Sequence, residues 1–265
     1  MKNLIYMAWL CLCGTVGFCD KTKFVIVIPS YNNEKWAERN IQSALNQKYS
    51  DFRVMYINDA STDATLMVVN RVKEEYDLFN RLTIYSNSIN RGAVYNFYHY
   101  IHAYVEDEEV VVSLDGDDRL AHDGVLSTLD QAYASGSIWL TYGSYLRDSG
   151  PSARHCKPLP FLRECSPCYR NIPFVASHLR TFKGWLFKKI RKEDLLYEGE
   201  FFKITYDLAL MYPMLEMASN RHFTFIRDNL YLYNDENELN DHKKAPEMQL
   251  KMDRYIRGLS PYAPL

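Results

Sequence analysis

The stretch Val110-Val-Val-Ser-Leu-Asp-Gly-Asp-Asp118 runs an apolar, β-branched segment straight into three carboxylates. An unbroken apolar run that ends in a polar turn reads as a strand buried on both faces, as in a parallel sheet. The same design stands upstream in Phe24-Val-Ile-Val-Ile-Pro29 and in Phe52–Ile57. Between them, Trp36, Ile41, Ala44 and Leu45 are spaced for a helix over Lys35–Gln47. Asp63 is placed to cap a helix over Ala64–Tyr76. A strand is expected over Arg81–Tyr85, a helix over Arg91–Tyr104, a strand over Glu109–Leu114, a helix over Gly124–Ala134 and a strand over Ser137–Thr141. Strand and helix alternating at this rhythm predict an α/β fold, a mostly parallel sheet flanked by helices.

The rhythm breaks after Thr141. Tyr142 to about Val175 is rich in Pro, Ser, Arg and Cys and reads as a functional loop or lid. Helices are expected over Ser177–Lys189, Tyr206–Ala218 and Pro246–Arg257, and two short strands over His222–Ile226 and Asn229–Tyr233. Asn234–His242 is polar and reads as a loop. Nothing resembles a repeat or a linker, so residues 20–265 form one expected domain.

Composition narrows the classes. The 265 residues are 47% hydrophobic and 24% charged, ordinary for a globular chain and unlike a disordered, collagen-like or coiled-coil one. With 31 Lys+Arg against 33 Asp+Glu the net charge is -2, so nucleic acid is not an expected partner. Lys2, the apolar stretch Leu4–Cys19, and Gly17 and Cys19 before Asp20 read as a secretory signal peptide over residues 1–19. An uncleaved membrane anchor is the rival reading. Either one puts the rest of the chain in the secretory pathway or outside the cytosol. Beyond the leader, Cys156, Cys165 and Cys168 cluster. A disulfide or plain thiols rank above a zinc site with His155, because adjacent His155 and Cys156 would rarely both bind one ion.

In open α/β sheets ligands sit beyond the carboxyl ends of the strands. Three polar clusters fall there: Ser30-Tyr-Asn-Asn33, Asn58-Asp-Ala-Ser-Thr-Asp63 and Asp115-Gly-Asp-Asp118. Three crowded carboxylates repel unless a cation sits among them, and Mg²⁺ or Mn²⁺ prefers such hard oxygens. A solvated turn is the bland alternative. Phosphate-binding Gly-rich loops, the EF-hand loop and the G-x-S-x-G elbow are absent, which disfavours dinucleotide, P-loop, calcium-sensor and α/β-hydrolase readings.

Four segments occur in one order and spacing: Val27-Ile-Pro-Ser-Tyr-Asn32, Asn46-Gln47 with Ile57-Asn-Asp-Ala-Ser-Thr-Asp63, Asn90-Arg-Gly92, and Leu114-Asp-Gly-Asp-Asp118. Together they resemble a family-2 glycosyltransferase of the GT-A, nucleotide-diphospho-sugar transferase type. The resemblance implies a nucleotide-sugar half over 20–141 and an acceptor and catalytic half over 142–265. It implies that Tyr31 lies against the base, that Asp59 accepts from the uracil N3–H, and that Arg91 approaches base or diphosphate. Asp115 would hold the ribose, Asp117 would bind Mn²⁺ or Mg²⁺, and Asp118 would support the metal loop or the donor sugar. Packing for Tyr31 and surface charge for Arg91 are the plain alternatives.

Family members place a catalytic Asp after Glu at the start of a helix. Here Asp207 takes the Asp position, as general base or as a helix cap, and Tyr206 stands where Glu is usual. The resemblance also makes His242 a candidate metal ligand, with a solvated loop residue as the plain alternative; His178 and Trp185 could border the acceptor, with core packing ranked first for Trp185. The implied reaction is metal-dependent, inverting transfer from a nucleotide-diphosphate sugar, a UDP-sugar first, to a glycan, protein or lipid hydroxyl, with an N-terminal membrane tether as an option. A non-catalytic carbohydrate- or nucleotide-binding member is the alternative. A nucleotidyltransferase is disfavoured, because Tyr31-Asn-Asn-Glu34 lacks the Gly-rich basic loop that class needs.

Overall fold

The structure is a computed structural model, and it describes residues 21–150, 156–160, 166–238 and 245–265. The first half alternates β1 (Phe24–Ser30), α1 (Ala37–Leu45), β2 (Phe52–Asn58), α2 (Thr65–Tyr76), β3 (Leu82–Ser86), α3 (Ala93–Tyr104) and β4 (Val110–Ser113). Then come β5 (Arg119–Leu120), α4 (Val125–Tyr133), β6 (Leu140–Arg147), β7 (Ser177–Lys183) and α5 (Gly184–Lys188). A small hairpin of β8 (Leu196–Tyr197) and β9 (Glu200–Phe201) precedes α6 (Tyr206–Ala218), β10 (Phe223–Tyr233) and α7 (Pro246–Gly258).

Eight strands form one sheet in the order β3-β2-β1-β4-β7-β6-β10-β5. The pairs β1/β2, β1/β4, β2/β3 and β6/β10 are parallel. Strand β7 runs antiparallel to both β4 and β6, and β5 antiparallel to β10. β1 shows why the sheet is buried on both sides. Val25 and Val27 pack toward α3, α5, α6 and α7, while Phe24, Ile26 and Ile28 pack toward α1, α2 and α4. All five are essentially inaccessible to water, and each such side chain contributes about 1.5–3 kcal/mol relative to exposure.

Three expectations need correction. Ser177–Lys189 is not one helix, because its first seven residues are β7. Leu179 faces one core and Phe182 the other, the period of two that a central strand requires. His178 and Arg180, four and two residues before Phe182 on its face, are polar because that face reaches the cleft described below. The irregular stretch starts later than Tyr142, since β6 carries on to Arg147 through buried Tyr142 and Tyr145. The two strands expected around Arg227-Asp228 are one strand, β10, whose register to β6 slips between Phe225 and Asn229 and again before Tyr231. Helix α2 starts one residue later than expected, with Ala64 at the cap position, and Asp63 just before it accepts from the Thr65 N–H at 3.0 Å and from the Glu34 N–H at 3.1 Å.

The leader, His155, Cys165 and His242 lie outside the described residues. The Cys156 thiol is partly buried, and burial pushes it up to about 11 despite hydrogen bonds with Ser177 and Ser144. Among the described residues no helix is long and apolar enough to cross a membrane.

Candidate active site

The carboxyl ends of β1, β2 and β4 open onto a cleft of about 480 Å³, walled on its far side by β7, the β9–α6 loop and the start of α6. The crossing from β1 to neighbours on either side makes this the switch point where α/β sheets bind ligands.

The Asp115–Asp118 turn is fixed by its surroundings. Asn40 on α1 donates to the carbonyls of Asp115 and Asp118, both at 2.8 Å. Gly116 rests on the end of β1, and a Cβ there would lie 2.5 Å from Ser30 Oγ and 2.8 Å from Asn33 Nδ2. Ser30 Oγ accepts from the Tyr56 hydroxyl at 2.7 Å and from Asn33 at 2.9 Å, so it is held in place. Asp118 is 1% exposed, and its oxygens accept from the Tyr231 hydroxyl and the Asn234 N–H, both at 2.6 Å. Burial, then the charges of Asp117 and Asp115, raise its carboxyl well above the usual range. Asp117 accepts from Asn237 at 2.6 Å. Burial pushes it up to about 6, with Asp115 adding to the rise.

Asp59 is buried at the end of β2, where its oxygens collect the Arg91 N–H at 2.9 Å, the Gly92 N–H at 2.7 Å and Asn87 Nδ2 at 2.7 Å. The Asn90-Arg-Gly92 loop is thus folded around Asp59. Tyr31 stands at the mouth, 39% exposed. Arg91 is elsewhere: its side chain is exposed, its guanidinium lies 5.3 Å over the Tyr95 ring, and it is not part of the cleft wall.

Asp207 and Asp115 face one guanidinium. Arg180, 3% exposed on β7, stands 3.8 Å from Asp207 and 3.7 Å from Asp115. It also donates to the Tyr206 hydroxyl at 2.8 Å, and that hydroxyl in turn donates to Asp115. Burial works against the Arg180 charge, but Tyr206, Asp115 and Asp207 outweigh it and hold the group firmly protonated. Burial raises the Asp207 carboxyl, Arg180 opposes the rise, and Asp115 reinforces it. Asp207 lies in the first turn of α6 just after Thr205, whose φ of +60° is costly for a β-branched residue. A sparsely populated backbone state beside reactive side chains is where active sites store strain.

A divalent cation fits one grouping. Ligand atoms of Asp115, Asp118 and His178 lie within 4.8 Å of one another. Two carboxylates and one imidazole suit Mn²⁺ better than Mg²⁺, which prefers oxygen alone. Asp117 lies beside this group rather than in it, and His178 enters it from β7. His178, expected on a helix bordering the acceptor, stands instead on β7, and so does Arg180, which a helical segment does not single out. Alternation of Leu179, Thr181 and Lys183 with His178, Arg180 and Phe182 was the available signal.

The model of the family described as glycosyl transferase family 2 matches residues 25–191. Two curated glycosyltransferases of Haemophilus influenzae match at 35% and 28% identity over 26% and 45% of this chain, which spans 20% and 46% of their lengths. EpsE of Bacillus subtilis, named a glycosyltransferase, is 27% identical over 79% of this chain and 80% of its own. Among solved structures, Staphylococcus aureus TarS 1–349 in complex with UDP-GlcNAc superposes with a TM-score of 0.64 at 18% identity, covering 89% of this chain and 65% of that one. A mannosyltransferase of Pyrobaculum calidifontis in complex with GDP-Man and Mn²⁺ does so at 0.61 and 16% identity, covering 91% and 66%. At these identities the two structures share the fold.

Proposed function

The chain belongs to glycosyl transferase family 2, and on that premise we propose that it moves a sugar from a nucleotide-diphosphate sugar to an acceptor hydroxyl. A UDP-sugar is the first donor to test, and the anomeric centre inverts. The observation that carries the reading is the pairing of Asp207 with the strand-end carboxylates across one cleft, with Arg180 between them.

Asp59 is held with its carboxylate toward the cleft, ready to accept from an N–H of the base. Asp115 meets the ribose or the cation, and Asp118 keeps the turn locked to β10. A divalent cation held by Asp115, Asp118 and His178, with Asp117 beside it, would neutralise charge on the departing diphosphate. Asp207 takes the proton of the acceptor hydroxyl while that oxygen forms its bond to the anomeric carbon and the bond to the diphosphate breaks. A carboxylate raised by burial, yet kept within reach of ionisation by Arg180, suits that work. Tyr206 in the place of the usual Glu is the feature that favours a binding-only member instead.

The apolar Leu4–Cys19 stretch supports action in a secretory compartment or outside the cytosol. The acceptor remains one of three classes, a glycan, a protein or a lipid. Two measurements test the function. UDP is titrated with and without Mn²⁺ into wild type and Asp117→Ala, and donor turnover is followed in Asp207→Asn. We expect metal-dependent binding that Asp117→Ala weakens. Asp207→Asn should lower turnover by roughly 10²–10⁴-fold with binding within threefold. Turnover unchanged in both variants would sink the mechanism, and binding without turnover on any donor would favour the binding-only reading.

A further inference from the structure

We propose that Lys203, not Arg91, is the cation at the base end of the nucleotide subsite, and that it selects bases carrying a carbonyl beside a ring N–H. The inference rests on the nucleotide-sugar reading above and sharpens it to uracil- or guanine-type donors.

Lys203 sits in the short loop between β9 and α6. That loop is anchored on one side by Phe202, 2% exposed in the core, and on the other by buried Thr205. The stem of Lys203 crosses Gly92, where an added Cβ would stand 3.1 Å from its Cδ. Gly92 has φ +85°, so both its backbone and the Lys203 stem exclude a side chain. The ammonium donates to the Arg91 carbonyl at 2.8 Å. The N–H of that same Arg91 is held by Asp59 at 2.9 Å. Lys203 therefore reaches the cleft one residue's backbone away from Asp59.

An ammonium has three N–H donors, and the Arg91 carbonyl takes one, which leaves two. Among the described residues of the cleft wall, five carboxylates face two side chains with fixed positive charge, Arg180 and Lys203. Arg180 is already engaged by Tyr206, Asp115 and Asp207. Lys203 is the exposed one, free to turn toward a ligand.

Asp59 and Lys203 form an acceptor next to a donor. That pattern complements an N–H flanked by C=O, the edge of uracil N3 with its carbonyls or of guanine N1 with O6. Cytosine and adenine present a bare ring nitrogen and an amino group there. They would set lone pair against carboxylate and N–H against ammonium. An unpaired polar edge of that kind discriminates strongly in a partly desolvated site.

The test titrates UDP and CDP, each with Mn²⁺, into the whole chain as wild type, Lys203→Met and Arg91→Met, with GDP and ADP as the purine pair. Met keeps the stem over Gly92 and removes the charge and donors. Lys203→Gln and a melting curve for each variant guard against a folding defect. We expect wild type to prefer the keto base at least tenfold, Lys203→Met to lose about tenfold for that base and under threefold for its amino counterpart, and Arg91→Met to stay within twofold. Unchanged keto-base affinity in Lys203→Met, or the loss falling on Arg91→Met, would overturn the inference and leave the donor reading standing. No nucleotide binding by wild type would overturn both.

Discussion

Replacing Gly116 by Ala tests the close approach that holds the carboxylate turn to β1. The new Cβ would stand 2.5 Å from Ser30 Oγ, 2.6 Å from Ser30 Cβ and 2.8 Å from Asn33 Nδ2. Ordinary contact would need about 1 Å more. Ser30 cannot yield, since it is 3% exposed and bonded by both Tyr56 and Asn33. The turn must therefore move, and with it the two 2.8 Å bonds from Asn40. Overpacking of this kind costs about 1–3 kcal/mol. For a chain of this size that lowers the melting temperature by roughly 3–10 °C. Metal-dependent nucleotide affinity should fall at least tenfold, because a displacement near 1 Å undoes a positioned ligand set. Thermal melts and calorimetry read both effects. Ser30→Gly removes the two nearest atoms, so the double variant should recover part of the loss, a coupling between neighbours that independent sites lack. A Gly116→Ala protein that melts within 1 °C of wild type and binds nucleotide equally would refute this account of the turn.

Two further outcomes are expected. Arg180→Met leaves Asp115 and Asp207 without their shared cation. Stranding buried charge costs about 3–5 kcal/mol, discounted here to about 2–3 because the two carboxylates are 23% and 31% exposed. A melting temperature within 2 °C of wild type would mean that the bridge carries no weight. Asp117 gives a pH signature in metal-free protein. Its folded pKa of about 6 lies above the ordinary 3.8, so the folded state holds a proton that the unfolded chain releases. Stability from that proton is complete below about pH 4 and is lost as pH rises through 6. Asp117→Asn should therefore be more stable relative to wild type at pH 7.5 than at pH 4.5, by about 1–3 kcal/mol, and a pH-independent difference between their denaturation curves would contradict the shift.

Much of this arrangement was legible from residues alone, for a physical reason. Buried parallel strands need long apolar runs, so Phe24–Ile28 and Val110–Val112 stand out, and topology then carries Asp59 and Asp115–Asp118 to one edge. Asp207 was legible because it opens a strongly apolar helix. What escaped was polar chemistry inside regular structure. His178 and Arg180 break the apolar signal of β7 at the positions that reach the cleft, so the strand read as a helix. Lys203 is a single lysine in a four-residue loop, with nothing in its neighbours to mark it. The place of Arg91 was misleading for the opposite reason. Its backbone belongs to the site and its side chain does not, and sequence names only side chains.

The insertion of β7 between β4 and β6 also bears on how the molecule is made. A nascent chain completes β4 at Ser113, yet the strand that covers its open edge begins only at Ser177. At synthesis rates of about 5–20 residues per second, that edge waits several seconds before its partner is translated. Unpaired strand edges are templates for wrong association. The nascent N-terminal half is therefore the vulnerable species, and chaperone demand should peak before residue 183 is made. For the same reason a chimaera joined near residue 141 would transplant half of a sheet rather than a module. A junction that respects the fold would have to carry β7 together with β4.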